Sequence, residues 1–277
     1  MFRVEVSKLG RRTRTWILVA AVTVPVAVAV GVFGSELVDA GGPTATQIGT
    51  SASPAALLPF LGLLAVATLP LPVAGAVVGG TGFGADAADG TLRYWLVRPV
   101  GRTRLYLDKL GAAILFAATT TALTVLAAVA VVLSVYGPGE MRPLAVTTGA
   151  GGVSTGLVDI GIAAWLLRLS VSAGYVALLA CAVTALALAV GLRTESTAVG
   201  AAVAVLVLVL STALAAIDWL GPVRVVLPGH WLTTWTTVFT DPPRWGDVLA
   251  GAACSLAWLT VSTTAGIWWF RRCDVTC

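Results

Sequence analysis

The side chains best placed to do chemistry in this chain lie between Gly84 and Lys109. Two acids, Asp86 and Asp89, precede Gly90 and Thr91. Leu92, Trp95 and Leu96 follow at spacings of three and four residues, which puts them on one face of a helix. Arg93, Arg98, Arg102 and Arg104 supply positive charge, and Pro99 stops the helix. The segment therefore reads as a short amphipathic helix with basic surroundings. Its chemistry is noncovalent docking. Basic residues alone favour a resting place on anionic lipid. The Gly-Thr turn, the apolar knob and the proline stop favour a groove on another protein.

Other chemistries lack their residues. The one histidine, His230, sits in Pro228-Gly229-His230-Trp231, without the partners that a metal site or a Ser/His/Asp arrangement requires. Loop packing is its expected role. No closely spaced carboxylates lie inside an apolar run, as a magnesium-dependent transferase would need. Asp218 and Asp247 stand at the ends of such runs. Asp86 and Asp89 are the only candidate acidic pair, and they suit the first turn of the inner helix, where acids favour the helix dipole. Gly149-Ala150-Gly151-Gly152 is glycine-dense, but no strand is expected before it. No G-x-x-x-x-G-K-[ST] loop occurs, so the chain has no such cradle for ATP. No catalytic residue, metal or cofactor is expected. Cys181 and Cys254 sit in apolar runs, and Cys273 and Cys277 flank Asp274-Val275-Thr276 in the tail. This is no extracellular disulfide framework. A juxtamembrane cysteine is a candidate for acylation, and an inert reduced tail is the simpler reading.

The elements that must position the basic segment follow from composition. Of 277 residues 58% are hydrophobic and 11% charged, and mean hydropathy is +0.94. A soluble domain carries about 25% charged residues, so this chain lacks the polar surface to face water. One membrane crossing takes about 20 apolar residues. Six spans are predicted at 16–33, 55–80, 110–136, 171–192, 197–217 and 248–270. Pro25 is expected to kink the first, and Pro59, Pro70 and Pro72 fall in the second. Residues 157–169, which carry Asp159 and Arg168, read as an interfacial helix leading into the fourth. Residues 147–156 read as a flexible external loop. The fold class is thus an all-α polytopic membrane protein in one transmembrane domain, 1–277.

Charge placement gives the orientation. With both termini inside, cytoplasmic segments hold 13 Lys+Arg and external ones 4, which is the bias membranes impose. The inside segments are then 1–15, the basic loop 84–109, the short turn at Arg193 and the tail 271–277. Trp16, Trp245, Trp268 and Trp269 fall near span ends, where indole rings settle at headgroup level. Ionisable groups are almost absent from mid-span, which weighs against an ion-coupled carrier. The net charge of +4 is spent on orientation, so no nucleic acid is implied.

On these residues the chain resembles type-2 ATP-binding-cassette permeases. That family carries E-x-x-x-G-T-L-x-x-L-L-x-x-P-[VI]-x-R between its second and third spans. Here Asp86 stands at the Glu position, followed by Gly90-Thr91-Leu92, Leu96, Pro99-Val100, Arg102 and Lys109. Trp95 replaces the first paired leucine, and Asp108 precedes the lysine where glycine is frequent. Residues 1–15 resemble the family's N-terminal elbow, and 227–239 its external re-entrant segment. The resemblance implies that Asp86, Asp89, Gly90, Thr91, Leu92, Trp95, Leu96, Arg98, Pro99 and Arg102 form a coupling helix. It further implies a separate ABC ATPase subunit that binds the ATP, a second permease copy or paralogue, contact with membrane lipids, and export across the plasma membrane. An apolar path suits an amphipathic or lipid-like cargo. Thr119, Thr120, Thr121 and Thr184 either line that path or pack helices, and packing is favoured. The rival classes are an ion-coupled secondary transporter, a membrane-embedded enzyme and a scaffold.

Overall fold

A computed structural model describes residues 2–39, 54–88, 101–136, 144–148 and 154–272. The helices are α1 (Phe2–Arg11), α2 (Thr13–Asp39), α3 (Pro54–Thr68), α4 (Pro70–Ala88), α5 (Arg102–Tyr136), α6 (Ile162–Thr194), α7 (Thr197–Ala215) and α8 (Trp245–Arg272). Strands β1 (Leu144–Thr148), β2 (Ser154–Asp159) and β3 (Thr240–Asp241) form one small sheet in the order β2-β1-β3. Three 3-10 stretches, Asp218–Val226, Pro228–Trp231 and Thr234–Phe239, join α7 to β3.

Among the described residues, Arg102–Val135, Ile162–Thr194, Thr197–Ala215 and Trp245–Arg272 are long and apolar enough to cross a membrane. The pair Pro59–Thr68 and Pro70–Asp86, bent by 46°, is together long and apolar enough for a broken fifth span or a re-entrant loop. The bend has a local cause. Pro70 has no N–H to continue the ladder of α3, and its fixed φ starts a new helix at once. The first predicted span, 16–33, falls within α2, whose apolar stretch, Thr13–Val28, is shorter than a full crossing. Pro25 lies inside α2 without ending it.

Two expectations on the far side of the bundle need correction. Residues 157–169 are not one interfacial helix. Leu157–Asp159 pair with β1, in register Val146↔Leu157 and Leu144↔Asp159, and from Ile162 the chain is already in α6. Gly161, at φ 70°, makes the turn between them. Likewise Thr147 and Gly156 are paired strand residues, not a free loop. A strand does precede the glycine-dense stretch, but another strand follows it instead of the helix a dinucleotide loop requires.

Helix α6 is the centre of the bundle. Of its apolar window 72% is buried, against 22% in α7 and in α8, so those two expose an apolar face. Small residues let the central helices close up. A Cβ on Gly80 of α4 would stand 2.6 Å from the Thr197 carbonyl oxygen of α7, and one on Gly200 would stand 2.8 Å from the Ala187 oxygen of α6. Thr120, Thr121 and Thr184 are buried and spend their hydroxyls on carbonyls one turn back in their own helices. Thr184 also lies against Gly75, 2.5 Å from where its Cβ would be. Helix packing is therefore their role in this chain.

The 3-10 stretches are held by side chains of the spans, as irregular backbone beside a membrane must be. Tyr175 Oη donates to the Trp231 carbonyl (2.8 Å), the Gly229 amide donates to Ser211 Oγ (3.0 Å), and Trp258 Nε1 donates to the Val226 carbonyl (2.9 Å). Trp235 is fully buried with its ring 5.2 Å from Phe60. His230 lies edge-on to Trp231, which is a packing role.

Candidate functional site

The N-terminal helix α1, the end of α4, the start of α5 and the end of α8 meet at the opposite end of the bundle from the sheet. They enclose the base of the loop 89–101. Asp86 occupies the last turn of α4 and is 3% exposed, and Lys109 lies two turns into α5 at 4%. Lys109 Nζ donates to Asp86 Oδ2 and to the Gly82 carbonyl (2.7 Å). Lys8 of α1 donates to Asp86 Oδ1 (3.2 Å). Glu5 Oε1 completes the group at 3.6 Å from Lys109 and 4.0 Å from Lys8.

The electrostatics explain the arrangement. A carboxylate in the last turn of a helix opposes the macrodipole, and burial adds a desolvation cost. Two ammonium groups offset both. Of the 17 basic residues only Lys8 and Lys109 are lysines, and both converge on Asp86. The compact ammonium suits the site. Lys109 donates from one point to a carboxylate and to the Gly82 carbonyl of α4, with the Glu5 carboxylate at ion-pair distance, where the planar guanidinium fork of arginine spreads its donors apart.

The other end of the loop is fastened separately. Arg102, the first residue of α5, donates from Nη1 to the Phe270 carbonyl (3.3 Å) and the Arg271 carbonyl (3.5 Å). These are last-turn carbonyls of α8, where a cation is favoured. Phe83, Tyr106 and Phe270 form an aromatic core beneath, with Phe83 5.8 Å from Tyr106 and 5.1 Å from Phe270. Arg193 and Arg272 lie over Trp269 (3.9 Å) and Trp268 (4.3 Å), so the tryptophans expected at this boundary are anchored by cations.

Of the predicted site residues, Asp86 and Arg102 flank the loop and lie on two of its fastenings. Asp86 sits in the last turn of the preceding helix and not in the first turn of an inner helix, which corrects its expected dipole role. Asp89, Gly90, Thr91, Leu92, Trp95, Leu96, Arg98 and Pro99 lie outside the described residues, as do Cys273 and Cys277. Glu5 and Lys8 were not singled out by sequence reasoning. The signal available was the scarcity of lysine: two in the chain, one in α1 and one at the end of the basic loop.

A helical bundle of several apolar crossings, with its charged residues gathered at the two ends and a buried ion cluster at one of them, is a multi-pass membrane protein. The chain belongs to the ABC-2 transporter family: the profile described as ABC-2 family transporter protein matches residues 1–211. The match runs from α1 into α7 and so contains the whole ion cluster and the loop it closes. The chain is thus an ABC-type membrane permease subunit, of a kind that works with an ABC ATPase. No curated protein matches it.

Proposed function

We propose that this chain is the six-span permease subunit of an ATP-driven exporter in the plasma membrane, with both termini cytoplasmic. It pairs with itself or a paralogue and works on two ATPase chains that bind and hydrolyse the ATP. The loop 84–109 is the coupling element, with Asp89, Gly90, Thr91, Leu92, Trp95, Leu96, Arg98 and Pro99 meeting the ATPase and Asp86 and Arg102 fastening the element to the bundle. The cargo is amphipathic or lipid-like.

One observation carries this reading. The loop is tied at its base to α1 by Asp86–Lys8, closed on itself by Asp86–Lys109 and tied to α8 by Arg102. A push on such a loop moves several helices together, because packed helices shift between discrete arrangements instead of deforming smoothly. Helix α1 serves as an elbow on the inner leaflet, with Arg3, Lys8 and Arg11 on its length.

The test is co-purification with the phosphate-loop ATPase of an adjacent reading frame, comparing the wild type with Thr91→Arg plus Leu96→Glu. The expected result is loss of ATPase association with the permease still folded. Equal recovery of both proteins from wild type and variant removes the coupling assignment.

A further inference from the structure

A cleft of about 300 Å³ lies between the joint of α1 with α2, the face of α4 and the start of α7. That volume is at the lower bound of small-ligand pockets, about 300–1,000 Å³. Its walls are mostly apolar, with Leu18 of α2, Val77 and Val78 of α4 and Ala201 of α7, interrupted by Thr15, Thr81 and Thr197. Arg12 and Arg14 stand at one end. Among the described residues no carboxylate lines the cleft. Among the described residues neither guanidinium forms an ion pair: Glu5 and Asp86 face Lys8 and Lys109, and Asp108 and Glu195, also at this end, pair with neither arginine.

The occupant must therefore be anionic at one end and apolar along its length. The surroundings choose its source. Ile17 on α2 and Val199 on α7, which adjoin the cleft, are exposed at 61% and 42%, so its mouth opens among side chains that only lipid solvates well. A free phosphate satisfies the arginines but leaves Leu18, Val77 and Val78 uncovered. We propose that this cleft binds a phospholipid with an anionic headgroup, its phosphate on Arg12 and Arg14 and an acyl chain along Val77, Val78 and Ala201. The lipid braces α2 against α7 beside the helix that holds Lys8. The proposal rests on the chain's being membrane-embedded and is independent of ATPase docking, so its failure leaves the coupling reading untouched.

The test uses the full-length chain purified in a neutral maltoside detergent and titrated with tail-labelled phosphatidylglycerol. Unlabelled phosphatidylglycerol, phosphatidylcholine and glycerol 3-phosphate serve as competitors. Saturable binding is expected, displaced by phosphatidylglycerol and poorly by the other two. Arg12→Gln weakens it about fivefold, and Arg12→Gln with Arg14→Gln about 30-fold, from the attraction of each basic side chain to anionic lipid. Ala201→Phe fills the cleft with both arginines intact and also abolishes saturable binding. Arg244→Gln, at the other end of the bundle, changes nothing. Equal competition by phosphatidylcholine means a nonselective tail groove and overturns the proposal. Displacement by glycerol 3-phosphate means a soluble-anion site and overturns it too. Loss with the arginine variants but full binding by Ala201→Phe means surface adsorption, and again the proposal fails. Because the competition series uses the wild type, a variant that does not fold leaves the question decidable.

Discussion

Lys109 and Asp86 stand 23 residues apart in sequence and form a buried ion pair that closes the loop between them at its base. Lys8 reaches the same carboxylate from α1 at 3.2 Å. The chain thus commits both of its lysines to one acid, and with them the relative placement of α1, α4 and α5.

Removing one member of a buried pair strands the other's charge, at a cost of about 3–5 kcal/mol. Asp86→Asn and Lys109→Met should each lower the denaturation midpoint of the purified protein by that order. The double variant Asp86→Asn/Lys109→Met should lose less than the sum of the two. Lys8→Met should cost under about 1 kcal/mol, because its side chain is 34% exposed and water screens the pair. Additive losses in the double variant would show that the two groups are not coupled.

Charge alone does not explain the choice of lysine. The void beside the cluster is about 30 Å³, too small for a guanidinium to turn in. Lys109→Arg keeps the charge but overfills the space, with an expected loss of about 1–3 kcal/mol. A melting comparison with Lys8→Arg, whose side chain has access to solvent, checks it. Equal tolerance of the two changes would locate the constraint in charge and not in shape.

Four spans were legible because each is an apolar run long enough to cross: α7 and α8 and the C-terminal end of α5 fall within about three residues of the expected limits, while α5 and α6 begin earlier than expected, at Arg102 and Ile162. A kink was expected at Pro25, whereas Pro70 was noted in the second span with no bend assigned to it, and the bend lies at Pro70. The sheet was not. Its strands are short, and β1 and β2 flank a glycine-dense stretch that mimics a loop, while β3 is two residues long and owes its strand to parallel pairing with β1. The ion cluster was missed for a different reason. Glu5 and Lys8 come together with Asp86 and Lys109 only through tertiary packing: in sequence Lys109 stood out only as a motif residue and Lys8 only as positive charge. Arg168, counted as external charge, likewise finds Asp241 at 3.7 Å only once β3 is in place.

The close approach of α4, α6 and α7 can be tested at one atom. Gly80→Ala drives a Cβ against the Thr197 carbonyl, which is backbone and cannot rotate away. The expected loss is about 1–3 kcal/mol. Gly174→Ala in α6, with nothing within 4 Å of its Cβ position, should instead be neutral or stabilising by up to about 1 kcal/mol. Opposite signs in the two melts support the packing.

At the sheet end, Tyr175→Phe leaves the Trp231 carbonyl without its 2.8 Å partner. Both groups are buried, so the variant should lose about 1–3 kcal/mol, the cost of an unsatisfied buried acceptor. Hydrogen exchange across residues 227–239 should rise before the rest of the chain opens, because Tyr175 is one of the few side chains fixing that segment to α6. A uniform rise over the whole protein would place the loss in α6 itself.

Arg102 separates stability from coupling. It is half-buried and its bonds to the Phe270 and Arg271 carbonyls are long, at 3.3 and 3.5 Å. Arg102→Gln should therefore cost little, under about 1 kcal/mol. Its loss nonetheless unties the loop from α8 while leaving Asp86, Lys8 and Lys109 in place. The ATPase should still co-purify with this variant, because the docking residues are unchanged, yet ATP hydrolysis should proceed with transport reduced. The conservative change Arg102→Lys should restore part of the transport, since one ammonium can still reach one helix-end carbonyl. If Arg102→Gln transports as well as the wild type, α8 receives its motion through the aromatic contact of Phe270 with Phe83 and not through this arginine.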